Sequence, residues 1–370
     1  MTLTRRTFLA SACAAAALPT RAGARPVYPA QRIAPLIMVG FDGAGPMAYG
    51  ARQMAAHVAA GHVGGLCFVA KNAVSRPGVE GLTRLFHSAA SRWPLLVGID
   101  QEGGMVQRLS SHLGYGFEPS AQQIAANADT VSAHKTFSHM AGAMRASGFN
   151  LNLAPVVDLS CQPRNPAVAM IGRAYGADPQ TVISYAGEFV AAHREQGVLT
   201  ALKHFPGHGS SLSDSHLGAV DVTKTWHARE LEPYSRLVGE DSADMVMSGH
   251  VSHALITEGQ PASLSRVAIE GVLRGRVGFR GPVITDDLEM AALHRTLSPA
   301  EAAIRALDAG NDILLLTNFT ADPHLPLKLI IAIQGAIEEG RLETDRLEAS
   351  VARVEVLKAS LKQPHASQIA

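Results

Sequence analysis

The chain has 370 residues, is 47 % hydrophobic, and carries 32 basic against 32 acidic side chains, for a formal net charge of zero with histidine neutral. That is length and apolar content enough for one large domain or two medium ones. With neither a basic stripe nor a long block of like charge, the composition excludes a nucleic-acid binder and an acidic scaffold, and it points to a ligand that is small or uncharged overall.

The first 24 residues stand apart. Thr4-Arg5-Arg6-Thr7-Phe8-Leu9 precedes an Ala-rich apolar stretch, and Ala22-Gly23-Ala24 offers the small residues behind which a signal peptidase cuts. The paired arginines followed by Phe-Leu look like a twin-arginine export signal, which carries folded proteins across a bacterial inner membrane, with a disordered basic tail as the plainer reading. Ala10-Ser11-Ala12 before Cys13 is a poor lipobox. The expectation is an export signal over residues 1–24, a periplasmic mature chain left slightly acidic by the loss of Arg5, Arg6 and Arg21, and one domain over 25–370. No later stretch is long and apolar enough to span a bilayer.

Short apolar runs rich in Val, Ile and Leu then recur at intervals of roughly 30 to 50 residues, the spacing of a strand plus a crossover helix. They are Leu36 to Phe41, Gly65 to Val69, Leu95 to Asp100, Asn150 to Val156, Leu199 to His204, Met245 to Gly249, Pro282 to Thr285 and Ile313 to Thr317. Most are continuously apolar, as parallel strands covered on both faces should be. Helical periodicity fills the intervals, for example Met47 to Ala60, Leu82 to Trp93, Ser132 to Ala146, Val182 to Glu195, Val267 to Arg276 and Glu301 to Ala309. Eight strand–helix alternations predict a single-domain (β/α)8 barrel, with Leu327 to Glu339 and Leu342 to Leu361 as extra C-terminal helices. Cys67, inside a strand, reads as a buried free thiol, although pairing with Cys161 suits an oxidising compartment.

The polar residues cluster at strand ends. Asp100 ends the third run, Asn150 and Asn152 sit in the fourth, Lys203 and His204 end the fifth, His250 follows the sixth, and Asp286-Asp287 end the seventh. A barrel gathers most such positions at its C-terminal rim, where such folds carry their chemistry. Pro206, Gly207 and Gly209 stop any helix after the fifth strand, so Lys203 to His216 becomes a loop crowded with ionisable groups.

Within it, Asp214 and His216 lie two positions apart, an arrangement in which the carboxylate can hold the imidazole in one tautomer and raise its basicity. One of Asp286 and Asp287 suits nucleophilic attack on an anomeric carbon, and the other suits capping or bracing. Asp100 could accept bonds from two neighbouring sugar hydroxyls. Glu102 reads equally as an ion-pair partner for an Arg or a substrate contact, and His208 as structural support.

The motif K-H-F-P-G-H-G at Lys203 to Gly209, followed by Asp214-Ser215-His216, resembles the signature of bacterial β-N-acetylglucosaminidases of glycoside hydrolase family 3. The similarity runs from about Leu36 to His294 and includes G-I-D-Q-E-G-G, N-L-N-L-A-P-V-V-D, I-G-R-A-Y-G and I-T-D-D-L-E-M. It implies hydrolysis with retention of configuration and release of a terminal N-acetylglucosamine from peptidoglycan fragments or related glycans. Asp286 matches the nucleophile, and His216 braced by Asp214 matches the general acid/base on a mobile loop. Asp100, Arg108, Arg173, Lys203 and His204 match positions that bind the terminal sugar. No cofactor or metal is implied.

Two departures stand out. Met105 occupies the place of an arginine common in the family, and many relatives lack an export signal. A phosphorolytic variant stays open, because a histidine acid/base does not repel incoming phosphate as a carboxylate would. A metal-dependent barrel hydrolase is the other alternative, given His204, His208, His216 and Asp286. Against it, Phe41-Asp42-Gly43 stands where such barrels usually carry an H-x-H pair. A silent glycan-binding protein is a third class, disfavoured by the complete catalytic set.

Overall fold

Each of the eight apolar runs forms a strand, and the strands pair in parallel, in the computed structural model, which describes residues 27–90 and 92–361. They are β1 Ile37–Val39, β2 Gly65–Phe68, β3 Leu96–Ile99, β4 Leu151–Asn152, β5 Leu199–Phe205, β6 Met245–Ser248, β7 Val283–Thr285 and β8 Leu314–Leu316. Their order in the sheet is β7-β6-β5-β4-β3-β2-β1-β8, and an isolated parallel bridge between Ile284 and Ile313 brings its two edges together. The result is a (β/α)8 barrel, as the alternation predicts. The export signal read over residues 1–24 lies outside the described residues.

Every residue of these strands is buried. The outer face of each is covered by helices α1 Tyr49–Ala60, α2 Arg76–Ala89, α3 Thr130–Ala146, α4 Pro179–Glu195, α5 Glu232–Gly239, α6 Val267–Val277, α7 Pro299–Ala309, α8 Leu325–Glu338 and α9 Thr344–Ser360. α2 starts six residues earlier than the apolar pattern predicts. Ser75 caps it by accepting a bond from the Gly78 N–H, and proline sits in its first turn, two start signals that lie outside the apolar stripe. α5 is not among the segments named from periodicity; at eight residues it is too short to show much of a repeat. α6 is wound in π register.

At the N-terminal end of the barrel, fully buried Asp312 accepts bonds from Arg274 at 2.7 Å and Arg353 at 2.6 Å, tying α6 and α9 to the start of β8. Cys67 is a buried free thiol and Cys161 an exposed one, so the pairing alternative is not realised. Among the described residues no helix is long and apolar enough to cross a membrane.

Candidate active site

The strands end in loops that surround a cleft of about 490 Å³. All eight residues singled out as substrate-binding or catalytic line it: Asp100, Arg108, Arg173, Lys203, His204, Asp214, His216 and Asp286. Asn150 and Asn152 do not. Each uses its side-chain amide to bridge the β3 and β4 backbones, Asn150 to Val97 and Leu95, and Asn152 to Gln101.

One end of the cleft is a compact ionic network centred on Glu102. Its carboxylate takes a bidentate pair from Arg173, both bonds 2.8 Å, and a contact from Lys203 Nζ at 2.7 Å. Lys203 also donates to Asp100 at 2.7 Å. Burial alone would push the Glu102 carboxyl up, but Arg173 and Lys203 outweigh it and hold it well below the usual range. Asp100 and Glu102 in turn keep the buried Lys203 ammonium protonated against its desolvation and the nearby Arg173 charge. The Glu102 backbone can present the side chain here because Gly103 turns at φ +94°, where an added Cβ would lie 2.2 Å from the Pro119 carbonyl oxygen. The alternative in which Glu102 pairs with an arginine is therefore realised. Arg108 Nε is buried without a partner at the edge of this group.

At the other side, Asp286 follows β7. Burial would raise its carboxyl, but His204, His250, His216 and the Asp287 N–H, which donates at 2.8 Å, bring it down to about 2. It is an ionised carboxylate at neutral pH. Its neighbour is different in kind: burial pushes Asp287 up to about 6, against bonds from Thr317 Oγ1 at 2.5 Å, Thr317 N at 3.0 Å and Glu289 N at 3.1 Å. Asp287 is thus tied to β8 through both its oxygens, whereas Asp286 spends only Oδ1 on the Asp287 N–H.

Across the cleft, His216 Nδ1 lies 2.8 Å from Asp214 Oδ1, which also accepts the His216 N–H at 2.9 Å. Burial would raise the Asp214 carboxyl, but its bonds with His216 dominate and lower it. The imidazole is 62 % exposed. Its loop meets the segment after Asp286 directly, the Ala292 N–H donating to the Ser215 carbonyl at 3.3 Å. The cleft thus holds an ionised carboxylate and a carboxylate-braced imidazole, groups whose chemistry suits nucleophilic attack and proton transfer.

Residues 30–357 match the model of the glycosyl hydrolase family 3 N terminal domain. The chain belongs to glycoside hydrolase family 3. It is similar to the β-hexosaminidase LpqI of Mycobacterium tuberculosis, 36 % identical over 272 residues that make up 72 % of this chain and 68 % of LpqI. It is 37 % identical over 282 residues to the β-hexosaminidase of Xylella fastidiosa, covering 74 % of this chain and 80 % of that one. Among solved structures, the family 3 β-N-acetylglucosaminidase from Paenibacillus sp. superposes with a TM-score of 0.82 at 32 % identity, over 92 % of this chain and 64 % of that one. A β-N-acetylhexosaminidase from Beutenbergia cavernae gives 0.77 at 32 % identity, over 89 % and 98 % of the two chains.

Two supports of this family 3 hydrolase, Asp158 and Glu230, escaped the sequence reading. Fully buried Asp158 accepts from His204 Nδ1 at 2.7 Å and from the backbone N–H groups of His204 at 3.2 Å and His208 at 2.7 Å. Arg173 Nη2, which can only donate, lies 3.4 Å from His204 Nε2, so the His204 proton sits on Nδ1 facing Asp158. Glu230 accepts the Gly209 and Ser210 N–H groups from below the loop. Gly209 itself packs where any Cβ would lie 1.7 Å from the Leu159 carbonyl oxygen. Asp158 ends the motif N-L-N-L-A-P-V-V-D, and that position after a strand was the available signal. Among the described residues, no group of three or more His, Cys, Asp or Glu side chains is arranged to hold a metal ion.

Proposed function

We propose that the chain is a retaining, exo-acting β-N-acetylglucosaminidase that removes terminal N-acetylglucosamine from peptidoglycan fragments or related glycans. The observation that carries this reading is the shared cleft of Asp286, ionised, and His216, braced by Asp214, beside a polar end built from Asp100, Glu102, Arg173, Lys203 and His204. The names of the relatives, β-hexosaminidases and β-N-acetylglucosaminidases, support the substrate class.

In this reading Asp286 attacks the anomeric carbon as the His216 imidazolium gives its proton to the leaving oxygen, forming a glycosyl ester. Neutral His216 then takes a proton from water, whose oxygen displaces Asp286 and restores the original configuration. Asp214 stabilises the imidazolium and fixes its tautomer. The loop carrying the pair swings to admit substrate and release product. The 1–24 segment is read as the export signal, putting the enzyme beside peptidoglycan in the periplasm.

The test is turnover of an aryl N-acetylglucosaminide. Asp286→Ala and His216→Ala should each cut it by orders of magnitude. Unchanged turnover in Asp286→Ala overturns the assignment. Because the proton carrier is an imidazole and not a second carboxylic acid, phosphate could replace water; release of a sugar phosphate in phosphate buffer would identify that variant.

A further inference from the structure

Phe319 is the one Phe, Tyr or Trp among the described residues lining the cleft, and the residue is 65 % exposed. A lone exposed ring is ordinary on a protein surface, and what sets this one apart is its place at the cleft. The turn that presents it is tightly built. Buried Glu289 accepts the N–H groups of both Asn318 and Phe319. The Asn318 side chain accepts the Asp322 N–H at 2.9 Å and donates to the Asp322 carbonyl at 3.0 Å. Asn318 and Ala321 both hold positive φ, 55° and 54°, a backbone state that side-chain-bearing L-residues seldom adopt. A rigid, over-determined turn thus holds an exposed aromatic ring at the solvent end of a polar cleft.

The groups suited to the terminal sugar's hydroxyls come from β3 to β5, and Asp286 from β7. Phe319 comes from the loop after β8, with the Glu289 that pins it only three residues beyond Asp286. We infer that Phe319 is the stacking platform of a leaving-group subsite, taking the apolar face of a pyranose ring on the departing side of the scissile bond. The C–H groups of that face are weakly positive and meet the negative face of the aromatic ring. This rests on the reading of the chain as an N-acetylglucosaminidase.

The experiment compares two substrates of the full chain. N-acetylglucosaminyl fluoride has a leaving group with no ring, and N,N′-diacetylchitobiose has a pyranose there. Phe319→Ala should lower kcat/KM on the disaccharide about tenfold, the range of one aromatic contact, and leave the fluoride unchanged. Phe319→Tyr should restore the disaccharide rate. Equal losses on both substrates, or no loss on the disaccharide, overturn the subsite. Wild-type turnover of the fluoride without the disaccharide overturns it too while sparing the wider assignment. Failure of the wild type on both substrates overturns both.

Discussion

His208 Nε2 lies 3.2 Å from Ser215 Oγ, while its Nδ1 lies 2.8 Å from Ser211 Oγ. Burial brings this imidazole down to about 4, so it is neutral at working pH. Ser211 Oγ spends its own proton on the Ser213 carbonyl, at 3.0 Å, and so accepts from Nδ1–H; Nε2 then accepts from Ser215. A buried, neutral histidine therefore clamps both ends of the Ser211–Ser215 segment, which contains Asp214 and leads directly into His216. His208→Phe keeps the ring but loses both bonds. We expect it to lower kcat on an aryl N-acetylglucosaminide by about one to two orders of magnitude with KM little changed. His208→Gln, which can donate and accept, should recover most of the loss. Equal losses in the two variants would refute the clamp.

In the proposed mechanism Asp286, near 2, stays ionised down to strong acid, so its protonation sets no acid limb in kcat/KM above about pH 3. His216 in that mechanism assists departure of an alkoxide, whereas fluoride leaves without a proton. His216→Ala should therefore lower kcat/KM on a disaccharide by orders of magnitude and leave N-acetylglucosaminyl fluoride little affected. Equal losses on the two substrates argue against His216 as the acid.

Two buried groups give stability opposite pH dependences. Glu230 is pushed by burial up to about 7, so its contribution is complete below 4.5 and is lost as pH rises through 7, roughly 3 kcal/mol in all. His208 is lowered, so its contribution is complete above 6.5 and is lost as pH falls through 4, a similar amount. Thermal melts between pH 5 and 8 should show a fall in Tm toward pH 8 that Glu230→Gln removes. A Tm slope unaltered by that substitution contradicts the assignment.

Glu102→Gln removes the charge that neutralises Arg173 and Lys203. Breaking a buried ionic network from one side costs about 3–5 kcal/mol, which urea unfolding would register as a lower midpoint. KM should rise as well, because Lys203 and Arg173 lose the anchor that aims them. A variant of wild-type stability would mean that water replaces the carboxylate freely.

The barrel was legible because parallel strands covered on both faces must be continuously apolar, and Ile37-Met38-Val39 or Leu314-Leu315-Leu316 can hardly be anything else. Asp214 and His216 were legible because their contact is local, two residues apart. Asp158 and Glu230 were not: Asp158 meets His204 across 46 residues, and Glu230 meets Gly209 across 21, so their roles exist only once the loops fold over them. Glu102 could be narrowed to two roles from sequence, and the approach of Arg173, 71 residues away, decided between them.

The closing edge of the barrel has a consequence for how the molecule opens. Between β7 and β8 one ladder bridge forms, and the Leu288 N–H donates to the Leu315 carbonyl at 2.9 Å; side chains add to these, with Thr285 Oγ1 accepting the Leu315 N–H at 3.0 Å and Asp287 accepting from Thr317. The joint that completes the cylinder is thus stitched in part by the residue beside Asp286. Amide exchange should be fastest among the eight joints here, at Leu315 and Thr317, and a change at Asp287 would loosen the staves of the barrel before it altered any bond to substrate.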